Sequence, residues 1–376
     1  MKNKPYSWLE ISKSALLHNA TCYKKLISPG LLAPVIKANG YGHDLQLIGT
    51  VLNESLNVDY LCVAYLSEAL KLRANGINKP ILVLSCIDDN PAYAAHNTIE
   101  FVVSTEQDLT LIEKSTPKKP IGVHLKIDTG LSRFGASPTS ALKIAQRIIQ
   151  SPFVTLRGIC THFAESNNQD QTFTQHQKNI FQKTLEQLHT AGITAPLIHT
   201  ANSAATTTLA MPECNFFRVG IGIYGWWPSQ SIKERTLKNN PYFKLKPAIT
   251  WKTYIDNIKI IPSDTHVGYD RTFKTTRETR AAFLPIGYAD GYDFRLANKG
   301  KVLINNTIAP VIGKICMNVV TIDITHVPNA QRNDTVTLLG NYPGLTAYDL
   351  AHLNGSNNAR EAIVRINPTL LRILID

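Results

Sequence analysis

The alternation of short apolar runs with longer amphipathic segments is the feature that most restricts how this chain can fold. Between residue 31 and about residue 220, eight apolar runs predict β-strands, and segments with helical spacing separate them. The predicted strands are Leu32–Ile36, Tyr60–Ala64, Ile81–Ser85, Phe101–Ser104, Ile121–Ile127, Thr155–Phe163, Pro196–Thr200 and Phe216–Gly220. Strands that alternate with helices favour parallel pairing through crossover connections, and eight such units suit a closed (β/α)8 barrel better than an open sheet.

The pattern changes after Trp227. Residues 228–247 hold three prolines among polar residues, which is typical of a linker. From Ala248 onward, β-branched runs bounded by turns predict a second, mainly antiparallel β domain. We therefore expect the (β/α)8 barrel over residues 8–235 and the β domain over residues 242–376, with residues 1–7 as a candidate extension of the second domain.

Individual elements can also be predicted. Amphipathic spacing predicts the helices Lys13–Leu26, Ser67–Asn75, Ser140–Gln150 and Gln171–Ala191, with Leu350–Arg365 as a weaker candidate. The strands expected in the β domain are Ile255–Ile261, Arg280–Ile286, Lys301–Ile304, Ala309–Ile312, Val319–Ile324 and Thr335–Leu339.

Composition argues against several classes of protein. The chain has 376 residues, enough for two cores, and no apolar run of the roughly 18 residues that a membrane span needs. The first residues lack the apolar segment of a secretory signal, and the six scattered cysteines lack metal-ligand spacing, so we expect reduced thiols in a cytoplasmic protein without a metal site. The net charge of +11 predicts a solvated basic surface rather than a nucleic-acid or membrane partner, because no nucleic-acid-binding motif accompanies it.

Lys37 is the strongest candidate for a reactive side chain. It follows the apolar residues 31–36, and burial at the end of such a strand lowers the pKa of a lysine and leaves a neutral, nucleophilic amine. Such an amine can form a Schiff base with an aldehyde cofactor. For Lys37 taken alone, the alternative is a lysine that reaches past the strand end to water.

Other unusual residues also follow the ends of predicted barrel strands, where the chemistry of a barrel lies. They are Arg133 after strand five, His162 after strand six, Ser203 after strand seven, and Arg218, Gly220 and Ile221 at strand eight. The loops after strands seven and eight commonly hold phosphate, which Ser203 at a helix start and the Gly220–Ile221 peptide could bind. Taken singly, Ser203 would be a helix cap, His162 a core histidine and Arg218 the partner of a carboxylate.

With these residues in place, the chain resembles the alanine racemases, pyridoxal-phosphate enzymes that combine a barrel with a β domain. The likeness covers nearly the whole chain and rests on motifs in a fixed order. The motifs are Val35-Ile36-Lys37-Ala38-Asn39-Gly40-Tyr41-Gly42-His43, Asp128-Thr129-Gly130 with Arg133, Thr161-His162-Phe163-Ala164, Asn202-Ser203-Ala204, Arg218-Val219-Gly220-Ile221, Gly287-Tyr288-Ala289-Asp290-Gly291 and Ile315-Cys316-Met317.

The resemblance implies that the chain interconverts L-alanine and D-alanine by two bases, with pyridoxal 5'-phosphate as cofactor. Lys37 would carry the cofactor and act as one base. Tyr269 would act as the second base in the active site that contains the Lys37 of the other chain, in a homodimer with shared active sites. The cofactor phosphate would be bound by Tyr41, Ser203, Gly220 and Ile221, and the cofactor ring would be contacted by Arg218 and His162. The substrate carboxylate would be bound by Arg133 and the Met317 backbone, and Tyr288 would line the entrance. Lys126 matches a lysine that is carbamylated in some members. Such an enzyme would supply D-alanine as a peptidoglycan precursor.

Two departures from the family pattern leave the substrate open. Asn318 stands where the family usually has aspartate, and Arg360 stands where it has a tyrosine close to the phosphate and the substrate side chain. A serine or broad-specificity racemase is therefore an alternative. A pyridoxal-phosphate decarboxylase of the same architecture and a non-catalytic cofactor-binding protein are more distant alternatives. Arg218 together with Tyr269 favours racemisation over decarboxylation, and the presence of the β domain with Tyr269 argues against the cofactor-binding protein, since such proteins usually lack that domain.

Overall fold

The structure, a computed structural model, describes residues 5–376. The chain divides into two compact units. The barrel unit comprises Ala15–Gly40 and Leu45–Lys246, and the β unit comprises residues 5–14, Tyr41–Asp44 and Pro247–Asp376. Within residues 5–376, no helix is long and apolar enough to cross a membrane.

Strands and helices are numbered along the chain from β1 (Ser7–Ser12), which lies in the β unit. The strands of the barrel unit are β2 (Leu31–Pro34), β3 (Leu61–Tyr65), β4 (Ile81–Cys86), β5 (Ile99–Val103), β6 (Ile121–Lys126), β7 (Val154–Cys160), β8 (Leu197–His199) and β9 (Phe216–Val219). Its helices are α1 (Lys13–Ile27), α2 (Lys37–Tyr41), α3 (Leu45–Glu54), α4 (Leu66–Ala74), α5 (Glu106–Lys114), α6 (Pro138–Gln150), α7 (Thr172–Thr190), α8 (Ser203–Thr208) and α9 (Gln230–Asn239), with a 3₁₀ helix over Pro91–His96.

The eight strands of the barrel unit form a closed ring. Strands β3 to β8 pair in sequence order as one parallel sheet, and β2 pairs in parallel with β9. The gap between β2 and β3 is bridged by Val35 and Cys62. Between β8 and β9, the backbone N–H of Asn215 donates to the carbonyl of Ile198 at 3.1 Å. The C-terminal ends of all eight strands therefore meet at one mouth.

Burial explains why these strands are short apolar runs. Every residue of β5 is buried, as are the first four residues of β3, because the ring interior covers one face and helices cover the other. Helix α6 begins at Pro138, which suits a first helical turn, and the Ser137 hydroxyl accepts the Ser140 backbone N–H at 3.1 Å. One face of α6 is buried against the barrel.

The β unit is built on a six-stranded mixed sheet. Besides β1, its strands are β10 (Ile249–Tyr254), β11 (Asn257–Ile261), β12 (His266–Val267), β13 (Phe273–Lys274), β14 (Thr279–Leu284), β15 (Lys301–Ile304), β16 (Thr307–Pro310), β17 (Val320–Asp323), β18 (Thr335–Leu339) and β19 (Leu371–Ile375). The strand order of the six-stranded sheet is β16-β15-β18-β10-β1-β19. A three-stranded sheet, β11-β14-β17, and a small hairpin, β12-β13, complete the unit. Its helices are α10 (Ala347–Leu353) and α11 (Ala359–Val364), with 3₁₀ turns at Tyr269–Arg271, Tyr288–Asp290 and Phe294–Leu296. Strand β1 pairs antiparallel with β10 and parallel with β19.

The predicted fold class, a (β/α)8 barrel followed by a mainly antiparallel β domain, is confirmed. The unit limits differ from the sequence prediction in two places. Residues 8–12, expected in the barrel, lie in β1 of the other unit, where Trp8 pairs with Lys252. Residues 228–247, expected as a linker, contain helix α9, and the barrel unit runs to Lys246. Of the candidate extension, residues 1–4 lie outside the described residues. Local sequence patterns do not reveal a strand's partner more than 200 residues away, which is why β1 was assigned to the wrong unit.

Candidate active site

Lys37 opens a left-handed helical turn directly after the first barrel strand. Ala38, Asn39 and Gly40 have φ angles of 54°, 54° and 62°. A left-handed turn costs roughly 1–2 kcal/mol for each non-glycine residue, so the surroundings must hold it in place. Glu68 does so by accepting the Ala38 N–H at 2.8 Å, and the Gly40 N–H donates to the Ile36 carbonyl at 2.9 Å. The half-buried side chain of Lys37 is therefore attached to a backbone whose conformation is constrained.

Ser203 and two glycine amides form a compact group after strands β8 and β9. The Ser203 hydroxyl, 4% exposed, accepts the backbone N–H groups of Gly220 at 3.0 Å and Gly222 at 3.3 Å. Asn202 caps α8, because its side-chain oxygen accepts the N–H groups of the next turn. A Cβ atom at Gly222 would lie 2.1 Å from the Tyr23 hydroxyl, so only glycine fits there. The structure therefore brings Ser203 and Gly220, two of the predicted phosphate-binding residues, into contact.

Arg218 is a buried cation at the end of β9, 6% exposed. Its Nη1 donates to Nδ1 and to the carbonyl of His199, and its Nη2 donates to the carbonyls of Thr161 at 2.8 Å and Thr200 at 3.2 Å. These acceptors use the four Nη hydrogens. Among residues 5–376, the Nε–H group has no acceptor within hydrogen-bond distance. The guanidinium is held on one side and keeps one donor for a ligand.

His162 lies beside Arg218, with its Nδ1 atom 3.4 Å from Nη2 of the arginine. Burial, together with the positive charges of Arg218, Lys126, Arg133 and Lys37, lowers the pKa of His162 well below its usual value. His162 is therefore neutral at pH 7.

Lys126 and Arg133 meet at the ring of Phe134. The Nζ atom of Lys126 lies 5.6 Å from the ring centroid, and Cζ of Arg133 lies 5.8 Å from it. Lys126 is 8% exposed, whereas Arg133 is exposed. Burial lowers the pKa of Lys126, with a smaller contribution from Arg218 that is opposed by the Cys160 thiol. A larger fraction of Lys126 is thus the neutral amine.

Ile221 follows Gly220 in the barrel unit and is buried, whereas the remaining predicted site residues, Tyr41, Tyr269, Tyr288 and Met317, lie in the β unit. Tyr41 begins the segment Tyr41–Asp44, which is held by the buried Arg372 through an Nε hydrogen bond of 3.0 Å to the Gly42 carbonyl. A Cβ atom at Gly42 would lie 2.7 Å from the Ile363 carbonyl of α11. Helix α11 also carries Arg360, whose side chain is exposed. The structure therefore places the Tyr41 segment against the helix that carries Arg360.

Tyr288 and Met317 are locked together by a glycine. A Cβ atom at Gly287 would lie 2.2 Å from the carbonyl oxygens of both Cys316 and Met317, so no side chain fits there. The Tyr288 N–H donates to the Cys316 carbonyl at 3.1 Å. The side chains of Tyr288 and Met317 are 44% and 56% exposed, and Tyr288 lines a cavity of about 550 Å³ together with Phe294.

Tyr269 stands on a short 3₁₀ turn with its side chain 70% exposed. The next residue, Asp270, has a φ of 53° and forms an ion pair with Lys314. This ion pair anchors the turn that carries the exposed tyrosine. Tyr269 is thus presented to the surroundings of the β unit rather than packed in its core.

Sequence reasoning missed His199, which contacts Arg218 directly. It lies within the predicted strand Pro196–Thr200, three residues before Asn202, and is fully buried. A polar residue inside an otherwise apolar barrel strand was the available signal, since a buried imidazole needs a partner.

Comparison with known proteins assigns the family. The family model "Alanine racemase, N-terminal domain" matches residues 11–228, and "Alanine racemase, C-terminal domain" matches residues 248–374. The chain belongs to the alanine racemase family. Members of this family are isomerases that depend on pyridoxal 5'-phosphate, so the family, the enzyme class and the cofactor expected from the sequence are confirmed.

Individual relatives match over most of their length. "Alanine racemase 2" of Oceanobacillus iheyensis is 38% identical over 341 residues, covering 89% of this chain and 84% of that protein. The alanine racemase of Clostridium perfringens is 35% identical over 364 residues, covering 93% and 91%. Among solved structures, the alanine racemase from Streptomyces lavendulae, a producer of D-cycloserine, has a TM-score of 0.91 at 26% identity, covering 100% of this chain and 98% of that chain.

The donor groups of the barrel unit suit this cofactor. Pyridoxal phosphate offers an aldehyde, a phosphate and a ring nitrogen, and the strand ends carry an amine at Lys37, a hydroxyl at Ser203 and a spare N–H at Arg218. A ring nitrogen accepts from a guanidinium without needing a proton of its own.

Proposed function

We propose that this chain interconverts L-alanine and D-alanine by moving the α-proton between two bases, Lys37 and Tyr269. The observation that carries the proposal is the arrangement at Arg218, a buried permanent cation beside His162 whose Nε–H donor has no acceptor among residues 5–376. When bound, pyridoxal phosphate makes the α-proton of an amino acid acidic by drawing electrons into its ring. An arginine at the ring nitrogen leaves that nitrogen unprotonated, which limits this effect and disfavours competing transamination.

Cofactor binding falls to residues at the strand ends. Lys37 would hold the aldehyde carbon through its ε-amine, and Ser203, with the Gly220 and Ile221 amides, would hold the phosphate. The 3.0 Å hydrogen bond from the Gly220 N–H to the Ser203 oxygen supports the grouping of these residues, and it leaves the Ser203 hydroxyl hydrogen for the phosphate. On cofactor binding, the Gly220 N–H would exchange the Ser203 oxygen for a phosphate oxygen. Tyr41 would add a phenolic donor to the phosphate, and His162 would lie near the ring.

Inversion of a carbon by proton exchange requires a base on each face of the substrate. Lys37 would serve one face and Tyr269 the other. The exposed position of Tyr269 supports its delivery to a second chain, so we propose a homodimer in which each active site takes Lys37 from one chain and Tyr269 from the other.

Substrate binding would use Arg133 and the Met317 backbone at the carboxylate and Tyr288 at the entrance. The exposed side chain of Tyr288 supports the entrance role. The burial and lowered pKa of Lys126 support carbamylation, because carbon dioxide reacts with the uncharged amine, and the product would add a negative charge on the same aromatic ring that Arg133 approaches. The enzyme would work in the cytoplasm and supply D-alanine for peptidoglycan.

A chiral assay and a spectrum test the proposal. The purified protein should absorb near roughly 420 nm, as lysine-bound pyridoxal phosphate does, and borohydride should fix the cofactor to the peptide that contains Lys37. L-alanine should give D-alanine faster than L-serine gives D-serine or L-lysine gives D-lysine. A borohydride-stable cofactor in Lys37→Ala protein would refute the assignment of Lys37, and faster turnover of serine would favour the serine or broad-specificity alternative. A cofactor-loaded protein that releases carbon dioxide from amino acids would instead be a decarboxylase.

A further inference from the structure

A line of buried hydrogen bonds crosses the barrel interior behind Arg218. His199 Nε2 lies 2.8 Å from His124 Nδ1, and His124 Nε2 lies 2.7 Å from a carboxylate oxygen of Glu100. Both histidines are fully buried, and Glu100 is 7% exposed. These residues come from three strands, β5, β6 and β8, and the line ends on Arg218 of β9.

The barrel makes room for this line with two glycines. A Cβ atom at Gly158 would lie 2.2 Å from His124 Nδ1, and a Cβ atom at Gly122 would lie 2.9 Å from Cγ of Glu100. Phe216 packs on the other side, with its ring centroid 4.9 Å from that of His199. The polar line therefore occupies a fitted space inside the barrel.

The cation at one end determines the direction of every hydrogen bond. Arg218 can only donate, so Nδ1 of His199 must accept, and a neutral His199 then carries its hydrogen on Nε2. That hydrogen needs an acceptor, which is the lone pair on Nδ1 of His124. The hydrogen of neutral His124 must therefore lie on Nε2 and point at Glu100. Burial keeps both histidines neutral, since it is the largest cause that lowers the pKa of each. Only an acceptor at position 100 completes this order.

We propose that Glu100 and His124 are positioning residues for Arg218. Glu100 holds His124 as the Nε2–H tautomer, His124 holds His199 as the Nε2–H tautomer, and His199 thereby keeps a lone pair facing Nη1 of Arg218. Arg218 is thereby held through its Nη groups, and its Nε–H group stays available for a ligand. This inference rests on the proposed function, in which Arg218 contacts the cofactor ring nitrogen. It assigns a positioning role to two residues that act on Arg218 only through the line of hydrogen bonds.

Four variants test the proposal. Glu100→Leu removes the acceptor, so His124 can adopt the other tautomer and turn an N–H toward the N–H of His199. Because an unsatisfied buried donor is unfavourable, His199 and Arg218 should shift to relieve it, and the dissociation constant of pyridoxal phosphate should rise about tenfold. Glu100→Gln keeps an oxygen acceptor and should rescue most of the loss. His199→Asn keeps an acceptor near the Nδ1 position but cuts the link to His124, so adding Glu100→Leu to it should change cofactor affinity by less than about twofold.

A spectroscopic measurement separates positioning from simple packing. Nitrogen-15 NMR of histidine-labelled protein should report Nε2–H tautomers for His124 and His199, and Glu100→Leu should move His124 toward Nδ1–H. Asp59→Asn is the matched control, since Asp59 is a carboxylate that accepts the Leu32 N–H at 2.7 Å and pairs with Lys24. This control should lower thermal stability and leave cofactor affinity and both tautomers unchanged.

Three results would overturn the inference. They are Nδ1–H tautomers in the unmodified protein, additive effects of Glu100→Leu and His199→Asn, and a Glu100→Leu protein that resembles Asp59→Asn in every readout. Failure of the proposed function is distinguishable from these results. A protein that binds pyridoxal phosphate but racemises no amino acid would refute the proposed reaction, while cofactor affinity and histidine tautomers would still decide the positioning roles.

Discussion

Tyr6 donates a hydrogen bond of 2.8 Å from its hydroxyl to one carboxylate oxygen of Asp290, 284 residues further along the chain. The other oxygen of Asp290 accepts the Gly287 N–H at 3.0 Å. Asp290, 2% exposed, thus ties the residue before β1 to the turn that carries Tyr288. Burial and the neighbouring carboxylate raise the pKa of Tyr6, so its hydroxyl keeps its proton and remains a donor.

We predict that Asp290→Leu lowers the free energy of unfolding more than Tyr6→Phe does. The first change removes a charged acceptor from two donors and should cost about 1.5–3 kcal/mol, whereas the second removes one neutral donor and should cost about 1 kcal/mol. Urea unfolding of the two variants measures both values. Equal losses would mean that the Gly287 amide contributes nothing to the role of Asp290.

Stability should fall as the pH drops from 7 to 5. Burial is the largest cause that lowers the pKa of His124, His162 and His199, and nearby positive charge from Arg218 acts in the same direction. Their folded pKa values lie below the unfolded value, so below about pH 6.5 the unfolded chain binds more protons than the folded protein. Each histidine can then contribute up to about 1.4 kcal/mol of lost stability per pH unit.

The measurement is the thermal midpoint at pH 7, 6 and 5 for the unmodified protein and for His199→Asn. The variant lacks one of the three titrating groups and should show a shallower decline. An identical decline in both proteins would place the acid sensitivity elsewhere, for example in carboxylates that titrate at lower pH.

Mixed dimers should regain activity from two inactive chains. Lys37→Ala and Tyr269→Phe remove different bases, and a dimer with one chain of each kind holds one intact site if the site is shared. Random pairing makes half of the dimers mixed, so activity should return to about one quarter of the unmodified level. Chains that carry both substitutions provide the control and should restore nothing.

Complementation requires proof that subunits exchange. Native mass spectrometry of differently tagged chains supplies that proof. Verified exchange without recovered activity would show that both bases act within one chain.

Arg360 should affect the choice between alanine and serine. It is exposed on α11, whose Ile363 carbonyl approaches Gly42 beside the predicted phosphate ligand Tyr41. Its positive charge also reaches Tyr348, where it opposes the burial that raises the tyrosine pKa to about 12. If Arg360 stands at the side-chain pocket, as the family pattern predicts, Arg360→Tyr should raise the ratio of kcat/KM for alanine to that for serine, because it replaces a permanent cation with a less polar group.

Steady-state kinetics with both substrates measure this ratio. Arg332→Gln is a suitable control, because Arg332 is also an exposed arginine of the β unit but pairs with Asp256. An unchanged ratio and unchanged cofactor affinity in Arg360→Tyr would make Arg360 an ordinary surface residue.

Much of the barrel could be predicted because its signals are local. The apolar runs of β3, β5 and β6 are largely buried on both faces, so their composition alone marks them as strands. Lys37 and His162 follow β2 and β7, Arg218 lies near the end of β9, and the predicted phosphate-binding residues Ser203 and Gly220 are in contact. The two-residue strands β12 and β13 and the strand β19 went unpredicted, because such short or half-exposed segments depend on the strands they pair with.

The amino-acid sequence by itself determined the strand–helix order, the motifs that carry the chemistry and the family to which the chain belongs. These properties follow from side-chain periodicity and from residue types at fixed positions. Only the tertiary structure decided that β1 joins the β unit, that α2 is left-handed, and that Glu100, His124 and His199 stand in line behind Arg218. Each of these features depends on contacts between residues far apart in sequence. The available space, the pairing partner and the direction of each hydrogen bond are set by strands that meet only after the chain has folded.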